Sequence, residues 1–299
     1  MKNILLVLRG ILGIVLLGLN GIITPWPVIF CGILRGIAPK KWQPKFDAIN
    51  YNYLIPLWVK INTLVTSKIL RIKIKCEGVG KLNKMGRYFI SSNHQSWADI
   101  LVLQQALHGK IPIFAFFLKK QLRWSIPIIG WACWAGGHPF MQRMNKSALE
   151  KSSLKKYHDI EMTQRFCQRF KHQPICIVSF LESTRFSEEK KHQQHSPYRY
   201  LLKPKATTLA YVIQNYGDTI QEIIDVSIIY HTQNKISFWN FLCGKINSVL
   251  VHYEIIPISE ELRGDYENDR NFRVQFQAWL NGVWAKKDLL IAKENLKPE

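Results

Sequence analysis

The six cysteines of this chain, Cys31, Cys76, Cys133, Cys167, Cys176 and Cys243, include no C-x-x-C pair. That argues against a zinc site and against a disulfide framework. The expectation is a reduced, cytosol-facing protein with ordinary buried thiols. Acidic residues are scarce, 21 against 41 Lys and Arg, leaving a net charge of +20. So large an excess calls for a polyanionic partner: nucleic acid, an anionic membrane surface or acidic small molecules. No zinc-finger or RNA-binding signature accompanies the charge, so nucleic acid is not the expected partner. There is no G-x-S-x-G elbow to expose a nucleophilic serine, which disfavours a serine hydrolase built from Ser183, His94 and Asp99. No internal repeat is visible. No small-x-small cleavage site follows the apolar start of the chain, so a cleaved signal peptide is not expected.

What is present is an ordered, globular composition: 299 residues, 47% hydrophobic and 21% charged. The run from Ile4 to Ile37 is apolar except for Arg9 and Arg35. Its first part is long enough for a bilayer, which needs roughly 20 apolar residues. Pro25 and Pro27 interrupt it, and basic residues flank both ends: Lys2 and Arg9 before, Lys40, Lys41 and Lys45 after. Basic flanks stay cytoplasmic, so a re-entrant helix pair in residues 1–45, anchored from the cytoplasmic face of the inner membrane, is the expected arrangement. Ten tryptophans and fifteen phenylalanines suit rings placed near headgroups.

Residues 46–299 read as an α/β domain, a mostly buried sheet flanked by helices. Strands are expected at Leu70–Cys76, Tyr88–Ser92, Ile111–Leu118, Ile175–Phe180, Ile223–Tyr230 and Val249–Pro257. Helices are expected at 46–68, 96–109, 149–171 and 204–217. The tail carries Phe272, Phe276, Trp279, Leu280, Val283 and Trp284 at helical spacing, predicting an amphipathic C-terminal helix. The basic stretch Glu188–Lys205 is too long for a tight turn and reads as a binding loop, a lid or a solvated excursion.

Three stretches carry chemistry. In NHQSWADI, Asn93 and His94 fall where a buried strand ends and a helix begins, the edge at which open α/β sheets place ligands. One reading makes Ser96 an N-cap, with Asp99 complementing the helix dipole. The other folds Asp99 back onto His94, fixing one imidazole nitrogen as the proton acceptor for a substrate hydroxyl. In FLESTRFS, Glu182 and Arg185 flank Ser183 and Thr184 after an apolar strand. Arg185 can offer a phosphate two parallel hydrogen bonds, or it can be half of a surface ion pair. In Lys119–Arg143, basic residues bracket an apolar stretch with glycines and tryptophans, either the border of an acyl-chain groove or a buried hairpin with a solvated rim.

Together these stretches resemble the glycerolipid acyltransferase family, which contains the 1-acylglycerol-3-phosphate acyltransferases. Asn93, His94 and Asp99 match its NHxxxxD motif, KKQL from Lys119 its lysine-rich segment, and PFMQR with Arg143 its second motif. FLESTR matches its FPEGTR motif with two departures, and DVSIIY resembles its fourth motif. The motifs run in family order over roughly residues 70–230. The chain's ends resemble a bacterial subgroup related to lysocardiolipin and lysophosphatidate acyltransferases. The resemblance implies His94 as base for a glycerol hydroxyl and Asp99 as its partner. Lys119, Arg143 and Arg185, with Ser183 and Thr184 in the same loop, would hold the acceptor's phosphate and glycerol. Glu182 would orient Arg185 or a glycerol hydroxyl. The acyl donor would be acyl-CoA or an acyl carrier protein thioester, with no metal or other cofactor. The acceptor would be a lysophospholipid in phospholipid synthesis or remodelling. Leu181 stands where the family has proline, Ser183 where it has glycine, and Gln121 where it has an acid. Serine has a Cβ where glycine tolerates positive φ, so either the loop does not need that conformation or the phosphate site is altered. A non-catalytic membrane adaptor on the same fold is the alternative.

Overall fold

A computed structural model describes residues 2–141, 152–171, 173–216, 219–220 and 222–296. Two apolar helices open the chain, α1 (Lys2–Ile23) and α2 (Pro25–Ile37). Thr24 between them keeps helical backbone angles and donates its N–H to the Asn20 carbonyl at 3.1 Å. The expected pair is therefore one helical run with a proline break, because Pro25 and Pro27 offer no N–H. Residues Asn3–Ile37 are long and apolar enough to cross a membrane. Leu5, Leu8, Leu12 and Val15 lie exposed along it.

The single helix expected over 46–68 is instead four pieces. These are α3 (Gln43–Ile49), a π-helical turn at Asn50–Leu54, α4 (Ile55–Leu64) and a second π turn at Val65–Ile69. Arg71, at φ 52°, ends this region and delays the first strand.

The strands are β1 (Lys73–Val79), β2 (Arg87–Ser92), β3 (Phe114–Phe116), β4 (Leu118–Lys119), β5 (Phe140–Met141), β6 (Ile175–Phe180), β7 (Glu222–Tyr230) and β8 (Ser248–Pro257). Six of them form one sheet in the order β1-β8-β7-β2-β6-β3. β7, β2, β6 and β3 run parallel, and β8 meets β7 antiparallel. The strand expected over Ile111–Leu118 splits: its start stays irregular, three residues join the main sheet, and Leu118–Lys119 pairs with β5 in a separate ribbon.

The remaining helices are α5 (Ala98–Leu107), α6 (Leu122–Ser125), α7 (Pro127–Ala135), α8 (Ser152–Arg169), α9 (Glu188–Gln193), α10 (Thr207–Tyr216), α11 (Phe238–Leu242) and α12 (Arg270–Asn295). They cover both faces, which is why the central strands read as continuous apolar runs. On one face Phe89, Ile177 and Ile223 meet Leu209 of α10 and Phe276 and Trp284 of α12. On the other, Tyr88, Ile90, Val178 and Ile224 meet Val102 and Leu103 of α5 and Phe241 of α11. Alternation along each strand thus feeds two cores. The aligned carboxyl ends of β2, β6 and β7 are left as one rim, where the candidate motifs emerge. The stretch 188–205 is not a solvated excursion. It contains α9, and Leu201 and Leu202 are fully buried.

Candidate active site

β2 ends in a fixed position because of Asn93. Its side-chain amide donates to the Ile228 carbonyl at 3.0 Å and its oxygen accepts the Ile228 N–H at 2.8 Å. The side chain thus takes the place of a strand backbone against β7, and His94 leaves the sheet at a defined point. There His94 Nδ1 lies 2.7 Å from Asp99 Oδ2. The same oxygen accepts the backbone N–H groups of Gln95 at 2.7 Å and Ser96 at 2.9 Å. Ser96 Oγ accepts the Ala98 N–H at 3.2 Å, the side-chain cap bond expected of it, and Trp97 already has helical backbone angles. Both readings of this stretch hold in part. Asp99 sits in the first turn of α5, closes the turn and partners the histidine with one carboxylate.

That carboxylate can only accept, so Nδ1 carries the proton and Nε2 is left as an acceptor. Among the described residues Nε2 has no hydrogen-bond partner, and the side chain is 14% exposed. Asp99 itself is fully buried, and its second oxygen, Oδ1, accepts the Tyr230 hydroxyl. Burial, reinforced by Asp99's charge, holds the Tyr230 phenol far above its ordinary range, so it stays a donor. Phe180, the last residue of β6, stacks on the imidazole with centroids 4.0 Å apart and planes 15° apart. Ring and acid are therefore held from three sides.

The FLESTRFS loop is stapled to the histidine. Phe186 N–H donates to the His94 carbonyl at 2.8 Å. Glu182, expected to orient Arg185 or a glycerol hydroxyl, is buried instead. Its Oε1 accepts the His94 N–H and its Oε2 the Leu202 N–H, both at 2.8 Å. Burial pushes this carboxyl up to about 8, against the opposing pull of those two amides and of Lys287. Ser183 has φ 61°, so the loop does need the left-handed conformation, and serine adopts it. A Cβ there costs roughly 1–2 kcal/mol relative to glycine. The Thr184 hydroxyl accepts from Lys190 Nζ at 2.9 Å, bracing the loop from α9. Arg185 is exposed, its guanidinium 5.3 Å from the centre of the Trp97 ring, and among the described residues it has no ion pair. Leu181 is buried and its carbonyl accepts the Lys205 N–H at 2.9 Å.

Lys119 stands exposed on β4, and among the described residues its ammonium has no hydrogen-bond or ion-pair partner. Its neighbour Leu118 lines an apolar cavity of about 550 Å³. The cavity starts at Trp97, beside His94, and runs between α5 and α7 under α1 and α4, past Ile100, Trp58 and Ile129. The expected groove in Lys119–Arg143 is thus a wall of this cavity. Arg143 lies outside the described residues. His138, on the cavity wall, accepts the Phe116 N–H through Nδ1 at 3.0 Å; burial pushes it down to about 4, so it stays neutral. Among the described residues no cluster of three His, Cys, Asp or Glu side chains is placed to hold a metal ion.

A sequence model of the family described as "Acyltransferase" matches residues 73–230, more than half of the chain and the stretch that carries His94, Asp99, Lys119, Glu182, Arg185 and Tyr230. The chain belongs to this acyltransferase family. Among curated relatives, 1-acyl-sn-glycerol-3-phosphate acyltransferase 3 of Arabidopsis thaliana is 28% identical over 163 residues. That match spans 51% of this chain and only 37% of the plant protein. Among solved structures, the crystal structure of the 1-acyl-sn-glycerophosphate (LPA) acyltransferase PlsC from Thermotoga maritima covers 100% of both chains with a TM-score of 0.58. At 17% identity the likeness is one of fold. Sequence reasoning about this acyltransferase missed Tyr230, Phe180 and Lys287 and gave Glu182 the wrong neighbours. Tyr230 closes a mostly apolar strand, and only its terminal position hints at the site.

Proposed function

We propose that this acyltransferase moves a fatty acyl group from an acyl thioester to the free glycerol hydroxyl of a lysophospholipid bearing a phosphate, 1-acylglycerol-3-phosphate being the simplest. His94 Nε2 takes the hydroxyl proton as the oxygen attacks the thioester carbonyl. Asp99, with Tyr230 behind it, balances the imidazolium that forms. The C–S bond then breaks, the departing thiolate takes the proton from His94, and the products are the new ester and a free thiol. No acyl-enzyme is needed. Arg185 and Lys119, cations without carboxylate partners, are the groups that would meet the phosphate. The apolar cavity beside Trp97 would take an acyl chain. A donor carried by coenzyme A or by acyl carrier protein would approach from the cytoplasmic side, with α1 and α2 in the inner membrane surface. The single observation that carries this reading is the 2.7 Å His94–Asp99 pair, with the other imidazole nitrogen unpartnered among the described residues and Trp97, three residues on, lining the apolar cavity.

The test is to offer purified protein mixed lysophospholipids and acyl thioesters and to follow products by mass spectrometry. A diacyl product containing phosphate, together with free thiol, supports the proposal. An absence of transfer from any donor by folded protein points to the adaptor, although the left-handed Ser183 argues that this loop keeps the shape a glycine would give it.

A further inference from the structure

The C-terminal helix α12 holds more than a core stripe. Lys287 lies on its buried face with 0% side-chain exposure, 4.7 Å from the centre of the Trp284 ring. Its ammonium reaches Asp225 Oδ1 at 3.0 Å and the Val226 carbonyl at 2.5 Å, both on β7. Asp225 Oδ1 also accepts the Ser91 hydroxyl of β2 at 3.0 Å. A fully buried lysine is costly unless paired and hydrogen-bonded, so this group is there for what it holds. Two residues further along β7 is Ile228, which clamps Asn93, and two beyond that is Tyr230, which donates to Asp99.

The adjacent residue, Asp288, reaches the site from the other side. Its two oxygens accept the backbone N–H groups of Arg199 at 2.8 Å and Tyr200 at 2.7 Å. Two turns earlier on α12, the Asn281 carbonyl accepts the Tyr198 hydroxyl at 3.1 Å. The strap 198–202 so fixed carries the Leu202 N–H that Glu182 accepts, and Glu182 accepts the His94 N–H in turn.

We infer that Lys287 and Asp288 are positioning residues for His94, one acting through β7 and through the charge it sets beside Glu182, the other through the 198–202 strap. The inference rests on the reading of His94 as the base. Glu182 accepts one N–H on each oxygen, and a carboxylate holds both more strongly than a protonated carboxyl, whose hydroxyl oxygen is the weaker acceptor. The charges that face it are Lys287 from α12 and Asp99 from α5, with the His94 and Leu202 amides as its donors. Lys287 favours the ionised form and Asp99 opposes it, so removing Lys287 raises the pH at which Glu182 takes up a proton.

Four variants of the full-length protein test this, each assayed for acyl transfer across pH beside His94→Ala. In Lys287→Met the acid side of the kcat profile should move to higher pH, with KM within about twofold and activity recovering on the alkaline side. Lys287→Arg should keep the wild-type profile. In a Glu182→Gln background the Lys287→Met change should add no further displacement. Asp288→Asn, at a half-buried position, should lower kcat about tenfold with KM nearly unchanged. A Lys287→Met profile unmoved in folded protein, or one that moves as far in the Glu182→Gln background, overturns the Lys287 part; an unchanged kcat in Asp288→Asn overturns the strap. If His94→Ala keeps its activity, the reading of the base fails first, and that outcome is distinct from these.

Discussion

The two long helices at opposite ends of the chain make opposite use of apolar side chains. In α1, leucine, isoleucine and valine surround the helix, and Leu5, Leu8, Leu12 and Val15 face outward. In α12 the apolar residues keep one stripe, Phe272, Phe276, Leu280, Trp284 and Ile291, and the stripe is buried. A helix that is apolar all round needs an apolar surrounding, whereas a striped helix supplies half of a core. The difference separates attachment from positioning. One end carries an outward-facing apolar surface, and the other buries its apolar stripe against the sheet.

The largest expected effect attacks the first helix. Replacing Leu5, Leu8, Leu12 and Val15 by serine removes side chains worth about 1.5–3 kcal/mol each in an apolar phase. Co-sedimentation with anionic vesicles should fall at least about a hundredfold while the urea midpoint stays put. The second attacks the other helix: Trp284→Ala, at a fully buried position, should cost about 3–5 kcal/mol of stability by urea denaturation. Were the two results exchanged, the contrast between the helices would be wrong. At the site between them, Tyr230→Phe leaves a buried carboxylate oxygen without its donor, at a cost of about 1–3 kcal/mol. Steady-state kinetics should show this as roughly a tenfold or greater fall in kcat with little change in KM. The smallest effect is a gain: Ser183→Gly relieves a side chain held at φ 61° and, once glycine's greater loss of chain entropy offsets part of that relief, should stabilise the fold by about 0.5–1 kcal/mol, read as a raised melting temperature with transfer activity preserved.

Much of this was legible in the residues themselves, and the reasons are physical. The stretch 175–180 is the strand its apolar run predicts, and 223–230 is one residue short, because strands buried on both faces are apolar on successive residues over most of their length. The His94–Asp99 pair was legible because five residues across a strand-to-helix turn bring the two side chains together. Glu182 was not. Whether its carboxylate turns outward to Arg185 or inward depends on the Leu202 amide, which a distant helix sets in place. Tyr230 reaches Asp99 across a separation of 131 positions, beyond any local pattern. Lys287 lies between Trp284 and Ile291 on the periodic stripe of α12, so periodicity put it inside even though its charge reads as surface. The stretch 46–68 reads as one uninterrupted helix because π turns keep a near-helical pattern of side chains.

The most direct measurement is kcat/KM for acyl transfer by His94→Ala, set against its binding to vesicles. The account predicts a loss of about 10²–10⁴-fold or more, the share of a general base, with vesicle binding unchanged. Transfer within a few-fold of wild type would contradict it.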